Sequence, residues 1–248
     1  MKKIEKYKLV AVMVRGFFDA FASGIIDCQD VEGKDKFRPK MLKNVVLEHC
    51  DHIPEAFANT IFYPLAAMNC EYDDVVRMVQ EAQEQGSSML ELVHQVCEDE
   101  EMHDAMKREY VRNYGSLFVG KFINPSDFYE SYPRPEGKPT YVPVDKAINL
   151  TVRTVMTSYA LGLIYSGKEG VVARQKSIFG SVISAVQVLL NDKATALDDF
   201  KSADDLAQVL VKVTQTPENF NTVVTAMDEG YDLISEMSGA GTDDELAN

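Results

Sequence analysis

The chain has 248 residues and a formal net charge of −14, from 25 basic and 39 acidic side chains. With 46% hydrophobic and 26% charged residues it can fill a core, which excludes global disorder. Its acidity excludes a generally basic nucleic-acid binder. The charge is also segmental. Residues 1–44 carry ten basic and six acidic side chains, 45–115 four and fifteen, 116–191 eight and five, and 192–248 three and thirteen. A uniform acidic coat is therefore excluded, and the last quarter is left as the main anionic surface.

Cys28, Cys50, Cys70 and Cys97 stand 22, 20 and 27 residues apart. That spacing offers neither a CxxC knuckle nor a dense disulfide framework, so reduced thiols and a cytoplasmic location are expected. The opening MKKIEKYK followed by LVAVMV looks like the start of a signal peptide. Arg15 interrupts it after a short apolar run, where an export core needs ~7–15 residues. No uncharged apolar run of ~18 residues follows, so no membrane span is expected.

Helical periodicity dominates the chain, and alternating strand-like runs are nearly absent. The first helix is predicted over about Glu5–Asp27. It is apolar on most sides, with Lys8, Arg15, Asp19 and Ser23 in one narrow strip, as befits the middle of a bundle. Gly16, Ala20 and Gly24 form a smooth ridge that admits a close helix neighbour. A second helix is predicted from Pro39, presenting Leu42, Val45, Val46 and His49 on one face. After a break at 51–53, Pro54–Glu55 restart a helix to about Met68, kinked at Pro64. A helix over 71–84 follows, and Ser88 with Glu91 forms a capping box for one reaching Tyr114 and stopping at Gly115.

Residues 116–142 change character, because YPRPEGKPTYVP is proline-rich and six aromatics (Phe118, Phe122, Phe128, Tyr129, Tyr132 and Tyr141) crowd into the same stretch. An extended strap lying on the body is predicted, with a proline-and-aromatic ligand for a partner groove as the alternative. Helices return over 144–166, with a polar strip of Lys146, Asn149, Arg153 and Thr157, and over 169–190, with Val171, Ile178, Val182, Ala185, Val186 and Leu189 on one side. Ser202 and Asp205 cap a helix bearing Leu206, Val209, Leu210 and Val213. Thr216-Pro217-Glu218 starts a last helix whose Phe220, Val223, Val224, Met227, Tyr231 and Ile234 recur at a,d-like spacing. The fold expected is all-α, a bundle of about nine helices. Residues 1–115 form one helical subdomain, 116–142 the connector, 143–238 a second helical subdomain and 239–248 a flexible acidic tail.

Chemistry is sparsely encoded. Glu100 and His103 make a Glu-x-x-His pair on the inward face of their helix, and His49 lies on the apolar face of its own, with Glu48 and His52 nearby. Were these faces to meet, His49, His52, Glu100 and His103 would hold Fe, Mn or Zn in a mixed oxygen/nitrogen site. The pair resembles the ligand motif of ferritin-like di-iron carboxylate bundles, although those draw ligands from four helices. His103-Asp104 resembles the ligand dipeptide of the HD phosphohydrolases, with His49 or His52 upstream and Asp145 downstream. Glu81-Ala-Gln-Glu84 and Glu101-Met-His-Asp104 resemble the ExxE…ExxD pattern of all-α nucleotide pyrophosphatases. An antiparallel partner of Glu81 would lie near Glu91, ten residues short of Glu101 or about 15 Å along a helix. The sequence contains no nucleophile elbow and no phosphate loop.

The leading expectation is a soluble acidic protein working through protein–protein contacts, as an assembly, adaptor or inhibitory factor, without a cofactor. Phe220, Val224, Met227 and Tyr231 either close the bundle or pair with another chain. A basic partner surface, or self-association, suits the acidic C-terminal quarter; direct nucleic-acid or membrane binding is not expected. The alternative is a metal-dependent helical-bundle enzyme using His49, Glu100 and His103.

Overall fold

The computed structural model describes residues 3–28, 48–62, 64, 77, 80, 81, 84, 85, 106, 108–113, 139–167, 173–191 and 203–238. These are mostly helical, in keeping with an all-α class. Most of the helices predicted from Pro39 and over 88–114, and the strap up to residue 138, lie outside that set.

Strand β1 (Lys3–Glu5) runs directly into helix α1 (Lys6–Asp27). A 3-10 turn at Cys50–His52 leads into α2 (Ile53–Phe57) and a π-helical turn at Ala58–Phe62. Strand β2 (Tyr141–Pro143) runs into α3 (Val144–Tyr165). Helices α4 (Gln175–Asn191), α5 (Ala203–Thr214) and α6 (Pro217–Ser238) complete the order. The two strands were not foreseen. They pair antiparallel, with Lys3 opposite Pro143 and Glu5 opposite Tyr141, and at three residues each they are too short for any alternation to show.

Helix α1 is buried on nearly every side; Leu9 through Val14 are all at or below 1% exposure. Lys8, Arg15 and Asp19 of the predicted strip are half-buried, while Ser23 is enclosed. Helix α3 is the hub, packing on α1, α4, α6 and the π-helical turn. Gly16 faces Val155 and Gly24 faces Gly162, so α1 and α3 run in the same direction. Helix α6 is parallel to them as well, since Arg153 approaches Glu229 and Met156 packs on Gly230. Helix α4 runs the opposite way, its start lying by Tyr159 and its Ala185 by Gly16. Both α1 and α3 are long and apolar enough to cross a membrane. In this fold 89% and 72% of their apolar windows are buried against protein.

The close approach has a specific cause. A Cβ on Gly24 would strike the Tyr159 carbonyl oxygen, and one on Gly162 would strike that of Phe21. Backbone atoms cannot step aside, so only glycine allows this crossing. Around it, Phe17 meets Phe18, Phe21 and Phe57 at ring-centroid distances of 5.0, 5.6 and 5.5 Å. Tyr110 joins them through Phe57 at 4.8 Å and Phe18 at 5.7 Å, tying residues 108–113 to α1 and α2.

The irregular helix at Ala58–Phe62 follows from Pro64, which has no N–H to offer the Thr60 carbonyl four residues earlier. Thr154 of α3 donates its hydroxyl to that carbonyl at 3.4 Å. The described distortion lies just upstream of the proline, and the predicted continuation to Met68 lies outside the described residues. Helix α4 begins at Gln175 rather than 169, because Ala173 and Arg174 are not helical and the Arg174 amide is held by a side chain from α3.

Candidate functional site

The histidine junction lies where the 3-10 turn enters α2. Glu48 and His52 are exposed and His49 is half-buried. The two imidazoles are 6.1 Å apart between centroids, and His52 lies flat on Tyr165 of α3 at 4.5 Å and 10°. Burial, then the neighbouring His52, pulls His49 below the usual imidazole range, and Glu48 partly opposes this. Burial, with a hydrogen bond and charge from Glu55, pushes the Tyr165 phenol up to about 12. Glu100 and His103 lie outside the described residues, so the structure does not place them against this pair. Among the described residues no three His, Cys, Asp or Glu side chains converge as a metal site. Glu81 and Glu84 are exposed to solvent; Glu101 and Asp104 lie outside the described set.

Two polar sites within the core escaped the sequence reading. At the first, the fully buried Tyr159 hydroxyl donates to Asp27 Oδ2 at 2.8 Å and accepts the Arg174 backbone N–H at 3.0 Å. One phenol thus fastens the end of α1, the middle of α3 and the entry to α4. Burial and the Asp27 carboxylate both hold it well above the usual tyrosine range, so it stays neutral. Cys28, beside it, is buried and turns its thiol toward the Leu163 carbonyl at 3.9 Å.

The second site is Glu109, whose side chain is fully enclosed. Asn113 donates its side-chain amide to Glu109 Oε2 at 3.0 Å and to the Glu109 backbone carbonyl at 2.8 Å. Arg112 Nη1 stands 3.7 Å from Oε1, yet that oxygen accepts no hydrogen bond among the described residues. Arg15 of α1 also acts on it and is itself 3.8 Å from Asp19. Burial raises the Glu109 carboxyl to about 7 against the opposing pull of Arg112, Asn113 and Arg15. The clue was present in spacing. Met106, Glu109 and Asn113 recur at helical intervals and are all buried, while Arg108 and Val111 face out. In so acidic a region one carboxylate reads as part of a solvated face.

On α6 the a,d-like stripe is occupied within the chain. Met227 is buried at 3% exposure, and Phe220, Val224 and Tyr231 are half-buried on the same core. The stripe packs on the core. The opposite side carries Asp228, Glu229, Asp232 and Glu236, all exposed, and no basic residue stands in the last turn. Between the start of α3 and α6 runs an open polar groove of about 480 Å³, lined by Asp145, Lys146, Asn149, Asn221, Thr222 and Thr225. Comparison with protein-family models, curated proteins and solved structures finds no match to this chain.

Proposed function

We propose that the protein works through protein–protein contacts in the cytoplasm, as an assembly, adaptor or inhibitory factor that engages a basic surface through the outer face of α6. The observation that supports this is the row Asp228, Asp232 and Glu236, exposed and four residues apart. Like charges at that spacing repel, by about 0.2–0.5 kcal/mol a pair. Carboxylates near a helix C-terminus also oppose its dipole, at about 0.3–1 kcal/mol each. The row therefore costs the fold stability that a cationic partner would return.

The test compares the full chain with Asp228→Asn/Asp232→Asn/Glu236→Gln by affinity capture from source-cell extract and by solution mass. The expected result is a partner with a basic contact surface, retained by the native chain and lost from the variant and at high salt. A monomer that retains nothing, or retains the same proteins in both forms, overturns it.

The metal-enzyme reading is supported only by His49 and His52 meeting at one junction. It requires stoichiometric Fe, Mn or Zn in protein purified without chelator, with the metal lost in His103→Ala. Metal-free protein disposes of it.

A further inference from the structure

Glu109 is a fully enclosed carboxyl on helical residues 108–113, which dock on α1 beside an aromatic cluster. A carboxylate in such a place needs compensating partners for its charge. Among the described residues the charged groups acting on it are Arg112 from its own segment and Arg15 from α1, with Asp19 beside Arg15; Arg108 points outward. From α2 the neighbouring element contributes the apolar Phe57, through Tyr110. Arg112 Nη1 is 3.7 Å away, too long for a hydrogen bond, and Oε1 accepts none among the described residues. One side-chain amide and two arginine charges do not replace the water that burial removes.

We propose that Glu109 is a proton-operated latch: in its neutral form it holds residues 108–113 against α1, and its ionisation favours release of that segment into water. The proton resides on the carboxyl in the docked state and is lost to solvent on opening.

The direction follows from linkage. The docked carboxyl titrates at about 7 and the exposed one near 4.5, so the docked state binds more protons between those values. The contribution to docking is fully present below the lower value and is lost as pH rises to the upper one. The loss is at most tenfold per pH unit, and roughly 300-fold in all if opening exposes the carboxyl completely. Above the upper value docking no longer responds to this group.

The full chain, labelled with ¹³C, is titrated by NMR with Glu109 assigned through its loss in Glu109→Gln. Amide exchange of residues 108–113 is followed from pH 5 to 8, corrected for intrinsic rates. The expected results are a Glu109 midpoint near 7 and protection that falls up to pH 7 and then levels. Glu109→Gln should be protected evenly across the range. Arg15→Met should move the midpoint upward, a readout independent of whether Glu109→Gln folds. A midpoint in the ordinary carboxylate range, flat protection in the native chain, or pH dependence persisting in Glu109→Gln overturns the latch.

Discussion

At the residue scale the molecule depends on a few polar groups placed inside an apolar core. The Tyr159 phenol serves two partners at once, accepting from Arg174 N–H and donating to Asp27. Tyr159→Phe keeps the ring packing and leaves the Arg174 amide without its acceptor, the costly way to break a buried hydrogen bond. It is expected to cost about 1–3 kcal/mol in urea unfolding. A loss below a few tenths of a kcal/mol would mean that the clamp contributes nothing. Glu109 is the opposite case, a group whose partners only partly compensate its burial, which makes it sensitive to pH where Tyr159 is not.

At the element scale the decisive contact is the parallel crossing of α1 and α3. Each glycine there faces a backbone carbonyl of the other helix, so an added methyl group must separate the helices. Gly24→Ala and Gly162→Ala are each expected to destabilise by about 1–3 kcal/mol, read by thermal or urea unfolding. Gly230→Ala would strike the buried Met156 side chain, its backbone-fixed Cβ included, so α6 would also have to shift from α3. The start of α6 shows an ordinary device: Thr216 Oγ1 accepts the Asn219 N–H at 3.2 Å. Thr216→Ala should lose about 1 kcal/mol.

At the scale of the whole molecule, α1 and α6 run parallel to α3 while α4 returns. The apolar stripe of α6 packs on this core, and its acidic side faces solvent. Neutralising Asp228, Asp232 and Glu236 is expected to stabilise the isolated chain by about 1 kcal/mol, measured by urea unfolding at low salt. The same change is expected to abolish partner retention. Stabilisation accompanied by lost binding would indicate that this face is kept for contact; no change in either would leave the row as solvated surface.

Much of this was legible from local pattern. The bounds of α1, α3 and α6, the narrow polar strip of α1 and the Gly16–Ala20–Gly24 ridge follow from spacing, because an amphipathic or all-round apolar helix records its own environment. Gly162 as the partner of Gly24 was not legible, since nothing local states which ridge meets which. The same holds for β1 and β2, whose pairing joins residues 3–5 to 141–143, and for the parallel course of α1, α3 and α6. Glu109 shows the limit most clearly. Its identity and helical position are written in the sequence, but whether a carboxyl is solvated or enclosed depends on what packs over it. The −14 charge was likewise known from composition. Tertiary packing decided that Glu109 is enclosed while the α6 carboxylates face water, because burial is a property of the assembled neighbours and not of the residue.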